Sequence, residues 1–229
     1  LFRSALAAPE VDPDTLALQQ GFDALSAKDF DGAVAKAQEI IARFEGERKP
    51  DAAYVCASGG PDTLTQLFGA ALAKDKGEKV PDTTVAVSSN ICDAYFLKGF
   101  ALVDLGRHAE ALPNLETAIA MDPDNTHYLN ELGEWYKTAR QWDRSLAFFT
   151  RASETSDLSL DYLDDKAEAK RVRNDRLCRS YRGISFSQSE LHHWDEARAA
   201  LKKCLAIYPN DPGSLNEMTY IAEQSGKDR

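Results

Sequence analysis

DAYFLKGFALVDLGRHAEALPNLETAIAMDPDN, residues 93–125, reads as two short amphipathic helices joined by a tight turn at Leu105-Gly106-Arg107. The chain then repeats the pattern. Laid over residues 126–159, residues 92–125 match at a shift of 34. Gly99 falls on Gly133, Leu102 on Tyr136, His108 on Trp142, Ala111 on Ser145, Leu115 on Phe149 and Ala118 on Ala152. A fixed period in this range marks stacked helical hairpins, none of which buries its apolar face alone. Where the two helices of a hairpin cross closely, only Gly, Ala or Ser fits, and bulky residues fill the holes one turn away.

Two weaker copies flank this pair. Residues 178–211 carry Tyr181, Ile184, Ser185, Trp194, Ala197, Leu201, Cys204 and Pro209 in register, with polar Gln188 where an aromatic is usual. Residues 14–47 carry Ala17, Gly21, Ala24, Phe30, Ala33 and Ile40. The pattern of small and large positions resembles the tetratricopeptide repeat family over about four periods of 34 residues. Departures are Lys98, where the family has Leu and Leu97 stands beside it, and Asp157, where the family has a closing proline. The resemblance implies an all-α, right-handed solenoid of helical hairpins. The tail 212–229 begins like another first helix, and Leu215, Met218, Ile221 and Ala222 form an apolar stripe suited to a capping helix.

Two segments break the register. Residues 48–91 separate the first two copies. Pro61 followed by DTLTQLFGAALAK predicts a helix over 61–75, with Leu64, Leu67, Phe68 and Leu72 on one face. The flanking runs AAYVC (52–56) and TTVAV (83–87) are rich in strand formers and suit a short β-ribbon. A degenerate hairpin is the alternative reading. Residues 160–177 have an acidic start and a basic end, which suits a helix dipole, and are read as an extension of the first helix of the last copy.

A formal net charge of −10 argues against nucleic acid, whose binding needs a basic face to displace counterions. It suits basic or neutral partners, though an acidic surface commonly serves solubility. No run approaches the roughly 18 consecutive apolar residues of a membrane span. Ala5-Leu6-Ala7 followed by Ala8-Pro9 resembles the small-residue end of a secretory signal. An arbitrary chain boundary is the other reading, so periplasmic or exported and cytoplasmic locations both stay open. Four cysteines are present with no CxxC. Cys204, among Ala200, Leu201 and Leu205, reads as a small buried thiol. Cys56 and Cys92 flank one insertion, and a disulfide between them would require an oxidising compartment.

The chain has no P-loop, GxGxxG, HExxH or GxSxG, so no catalytic residue, cofactor or metal site is assigned. His192-His193 reads as a solvated turn, and Trp142 and Trp194 share a packing position. Ser58-Gly59-Gly60 is a loop at a helix start, whose N-terminus can hold an anion, so a minor enzymatic, metal-dependent or anion-binding site in the 48–91 insertion is a second alternative function.

What remains is the concave surface. The resemblance implies that the first helix of each hairpin lines an inner groove. Carried over position by position, the first copy offers Leu18 and Phe22, and the second offers Phe96, Phe100 and Val103. The third offers Asn130, Glu134 and Lys137, and the fourth Arg179, Arg182 and Phe186. Leu18 and Phe96 stand where some members of the family carry a Lys/Asn clamp for a C-terminal carboxylate, so that clamp is absent. The expected function is non-catalytic binding of a protein or peptide in the groove. Phe96 and Phe100 would anchor it, unless the 48–91 insertion covers them. Lys137, Arg179, Arg182 and Asn130 would hold a carboxylate or peptide backbone. Homodimerisation through the apolar groove or a stack end is the alternative.

Overall fold

The computed structural model describes residues 11–57, 64, 67, 68, 81, 83–155, 160 and 163–226. Helices α1 (Pro13–Ser26) and α2 (Phe30–Glu47) form the first hairpin. Strands β1 (Ala52–Ala57) and β2 (Thr83–Ser88) follow, and then α3 (Ser89–Asp104) pairs with α4 (His108–Met121). Next come α5 (Thr126–Thr138) with α6 (Trp142–Glu154), and α7 (Lys166–Glu190) with α8 (Trp194–Ile207). Helix α9 (Pro212–Ser225) closes the chain. Successive first helices α1, α3, α5, α7 and α9 touch one another, so they form one layer of a solenoid and the second helices form the other.

The two layers begin differently. Every inner helix starts on a side-chain cap. Asp12 accepts from Thr15 N, Ser88 from Asn90 N, Asn125 from His127 N, Asp165 from Ala167 N and Asp211 from Ser214 N. Of the outer helices, α2 has Asp29, which accepts from Gly32 N, whereas α4, α6 and α8 start without a side-chain cap. They start instead from a tight turn that recurs at one register position, the fifteenth residue of each copy. There Lys28, Gly106, Arg140 and His192 carry positive φ, between 54° and 72°. In each turn the backbone N–H of that residue and of the one after it reach back over the end of the inner helix, as in Arg140 N to Lys137 O and Gln141 N to Tyr136 O. This is the Schellman arrangement, which satisfies carbonyls the helix end would otherwise leave unpaired. His192 is therefore a turn residue with a conformational duty.

The small positions lie at helix crossings. A Cβ on Gly99 would come within 2.7 Å of Leu115, and one on Gly133 within 2.9 Å of Phe149. Ala111 and Ser145 are fully enclosed, and Ser145 Oγ donates to Gly133 O at 2.9 Å. The main core runs through the first three hairpins, and a smaller cluster of Ala197, Leu201 and Ile221 seats α9 with Trp194 and Met218.

The 48–91 insertion carries a two-stranded sheet in which β1 and β2 run parallel, Ala52 opposite Thr83 and Cys56 opposite Val87. Parallel strands require a long crossover, which a ribbon joined by a short turn does not. Within that crossover, Leu64, Leu67 and Phe68 are helical, and the rest of the expected 61–75 helix lies outside the described residues, as does Ser58-Gly59-Gly60. Cys56 and Cys92 form a disulfide that ties β1 to α3. Cys204 is no free thiol: it bonds Cys178 and links α7 to α8. The sequence disguised this pairing because Cys204 occupies a packing position that a small apolar residue also fills. Helix α7 is 25 residues long and starts inside the 160–177 segment. Among the described residues no helix is long and apolar enough to cross a membrane.

Candidate functional site

A cavity of about 380 Å³ opens between α5, α7 and the start of α9. Glu134 and Lys137 face it from α5, and Arg179, Arg182, Gly183 and Phe186 from α7. Gly213 and Glu217 close it from α9. The 3–4 residue spacing on α5 and α7 places these side chains on one helical face. Gly213 permits the approach of α9, because a Cβ there would lie 3.1 Å from Arg182 Cδ.

The charges on the walls are arranged in pairs. Lys137 pairs with Glu134, and its ammonium stands 5.1 Å from the centre of the Phe186 ring. Arg179 donates to Glu131 at 2.7 Å and Arg182 to Asp211 at 3.0 Å. Burial pushes the Glu131 carboxyl above its ordinary value, against the pull of Arg179. Burial acts the same way on Asp211, but Ser214 and Arg182 outweigh it and hold that carboxyl low. Glu217 differs from the rest. Its Oε1 is enclosed and accepts no hydrogen bond among the described residues. Burial and then Glu190 push its carboxyl up, with Lys137 opposing.

Of the residues nominated from sequence, Glu134, Lys137, Arg179, Arg182 and Phe186 converge on this cavity. Phe22, Phe100 and Val103 are partly buried, and both phenylalanines pack against the main core. Three others are interior. Leu18 is buried in the first hairpin. Phe96 is 2% exposed, and it is the next hairpin that covers it: His127 and Tyr128 pack against its ring with centroids 4.4 and 5.2 Å away. Asn130 is fully enclosed, accepting from Ser180 Oγ at 2.8 Å and donating to Arg176 O at 3.2 Å. It joins α5 to α7 and presents nothing to the groove. Position rules identify the inner layer, but an inner-layer side chain becomes core wherever the neighbouring inner helix presses on it.

Beside Phe96, Tyr128 donates to Asp93 Oδ1 at 2.6 Å. Burial raises both groups above their ordinary values. Sequence reasoning passed over Glu217 because the tail was read only as a cap. Continuing the 34-residue register makes 212–225 a first helix, and that alone places it in the inner layer.

A second cavity, of about 480 Å³, lies between α1, α2, β2 and the start of α3. Phe44, Tyr54, Val85, Val87 and Ile91 give it an apolar floor, and Asp14 and Arg43 pair on its rim. None of the nominated groove residues lines it.

Comparison with known proteins accords with this geometry. Two family profiles described as tetratricopeptide repeat match residues 96–157 and 183–211. The solved structure MamA MSR-1 C2 is 17% identical with a TM-score of 0.53, over 93% of this chain and 87% of that one. The MamA RS-1 ArsTM double mutant is 12% identical with a TM-score of 0.55, over 93% of this chain and 85% of that one. A crystal structure of MamA protein is 14% identical with a TM-score of 0.54, over 93% of this chain and 83% of that one. At such identities the likeness is one of fold. The comparison with curated proteins gives no match. With a 34-residue register, glycines at the helix crossings and these two profile matches, the chain carries tetratricopeptide repeats over residues 96–157 and 183–211.

Proposed function

We propose that this protein is a non-catalytic scaffold that holds an extended segment of another protein in its concave groove. The observation that carries the reading is the cavity between α5, α7 and α9. Five side chains nominated by repeat position alone line it, drawn from two different hairpins. The groove has two characters. Phe22, Phe100 and Val103 offer partly open apolar surface at one end, and the charged cavity sits at the other. That division suits a segment with an apolar part for affinity and a polar part for register.

The test is selection of random ten-residue peptides displayed on phage against the full chain. Phe100→Ala and Phe186→Ala are each expected to weaken the selected peptides about tenfold or more, with the far-ultraviolet circular dichroism unchanged. Peptides that bind both variants as well as the parent chain would place the binding surface elsewhere.

Self-association is the second reading. Leu16 on α1 and Leu215 and Tyr220 on α9 are 50%, 45% and 43% exposed, which leaves large apolar side chains at both ends of the stack. Light scattering across a concentration series tests it, and Leu215→Glu is expected to lower any associated fraction. The two disulfides support an oxidising working compartment.

A further inference from the structure

We infer that the cavity between α5, α7 and α9 takes a cationic side chain, lysine or arginine, from the bound segment, with the Glu217 carboxylate as its acceptor. This rests on the groove reading above and names the chemistry of its ligand. The argument is an inventory of partners. Lys137, Arg179 and Arg182 look like an anion clamp, but each already holds a carboxylate of this chain: Glu134, Glu131 and Asp211. An incoming anion would have to break one of those pairs, and breaking the Arg179 pair would strand Glu131, whose side chain is 5% exposed. Glu217 is the charged wall residue with no hydrogen bond or ion pair among the described residues: its enclosed Oε1 accepts nothing, and Lys137, paired with Glu134, acts on it only through space. An enclosed carboxylate oxygen without a donor is costly, and a ligand ammonium or guanidinium supplies the missing donor. Glu190 adds negative potential at the same place. Phe186 supplies an aromatic wall for the aliphatic stem of a long basic side chain. The chain as a whole carries −10, which favours encounter with a basic segment.

The phage selection reads this directly. Sequencing the peptides enriched on the full chain is expected to show lysine plus arginine concentrated at one fixed position. Repeated on Glu217→Gln, the selection is expected to lose that concentration. A synthesised winning peptide is expected to bind Glu217→Gln about tenfold more weakly than the parent, with circular dichroism unchanged. Replacing its basic residue with glutamine should cost a similar factor on the parent chain and nothing further on Glu217→Gln. Enriched peptides with aspartate or glutamate at the fixed position, or with no charge preference anywhere, overturn the cation assignment and leave the groove reading standing. Failure to enrich any peptide overturns both.

Discussion

The ring of Phe149 stands where a side chain on Gly183 would have to be: a Cβ added there would lie 2.5 Å from the ring atoms. Phe149 belongs to the third hairpin and Gly183 to the fourth, so this contact joins the two repeats that form the cavity. Gly183→Ala is expected to destabilise the chain by about 1–3 kcal/mol through overpacking. Thermal or denaturant unfolding checks it, and the variant should also loosen the cavity wall. Phe149 is fully buried and gripped from its own hairpin by Gly133 as well, so it has nowhere to retreat.

The four hairpin turns make opposite predictions at glycine and non-glycine positions. Gly106 already suits its φ of 72°, whereas Arg140 holds 54° at the equivalent point with a Cβ in the way. Arg140→Gly is expected to stabilise by up to about 1 kcal/mol, and Gly106→Ala to destabilise by about 1 kcal/mol. Denaturant midpoints of the two variants should therefore move in opposite directions.

Phe96 and Phe100 lie one helical turn apart with ring centroids 6.0 Å distant, yet their roles divide. Phe96→Ala is expected to cost about 3–5 kcal/mol, because it empties a site packed by His127 and Tyr128. Phe100→Ala should cost roughly 1 kcal/mol of stability and act chiefly on ligand affinity. Parallel unfolding and peptide-binding measurements separate the two effects.

Cys178–Cys204 closes a 26-residue separation between α7 and α8, and Cys56–Cys92 one of 36. Thiol titration of the denatured, unreduced protein is expected to find no free thiol. Cys178→Ser with Cys204→Ser should lower stability by about 2–4 kcal/mol, and reduction, which opens both links, by more. One free-thiol pair in the native preparation would show that one of these links does not form.

Glu217 gives a pH signature. Its carboxyl is raised, so the folded chain holds the proton more readily than the unfolded one. The stability linked to that proton is fully present below the ordinary carboxylate range and is lost as pH rises through the raised value. Glu217→Gln, which stays uncharged, is expected to stabilise the ligand-free chain by about 1 kcal/mol at pH 7. The gain should vanish towards about pH 4, where the parent residue is protonated too. Unfolding midpoints of parent and variant across that range check it. A constant difference would mean the carboxyl is not perturbed.

The 34-residue match of Gly99 to Gly133 and of Ala111 to Ser145 was enough to determine the architecture. Steric exclusion at a helix crossing is local, and it recurs wherever two rods touch at the same angle. The same register told inner helices from outer ones and so nominated Lys137, Arg179, Arg182 and Phe186 before any contact was known. It could not separate Phe96 from Phe100, because both face the inner layer and only the approach of α5 decides which ring is covered. Nor could it pair Cys178 with Cys204, read Asn130 as an interior strut, or single out Glu217. Burial and partner choice depend on what arrives from another hairpin. Only packing in three dimensions gave Arg179 and Arg182 their carboxylates, Glu131 and Asp211, and left Glu217 Oε1 without a donor among the described residues.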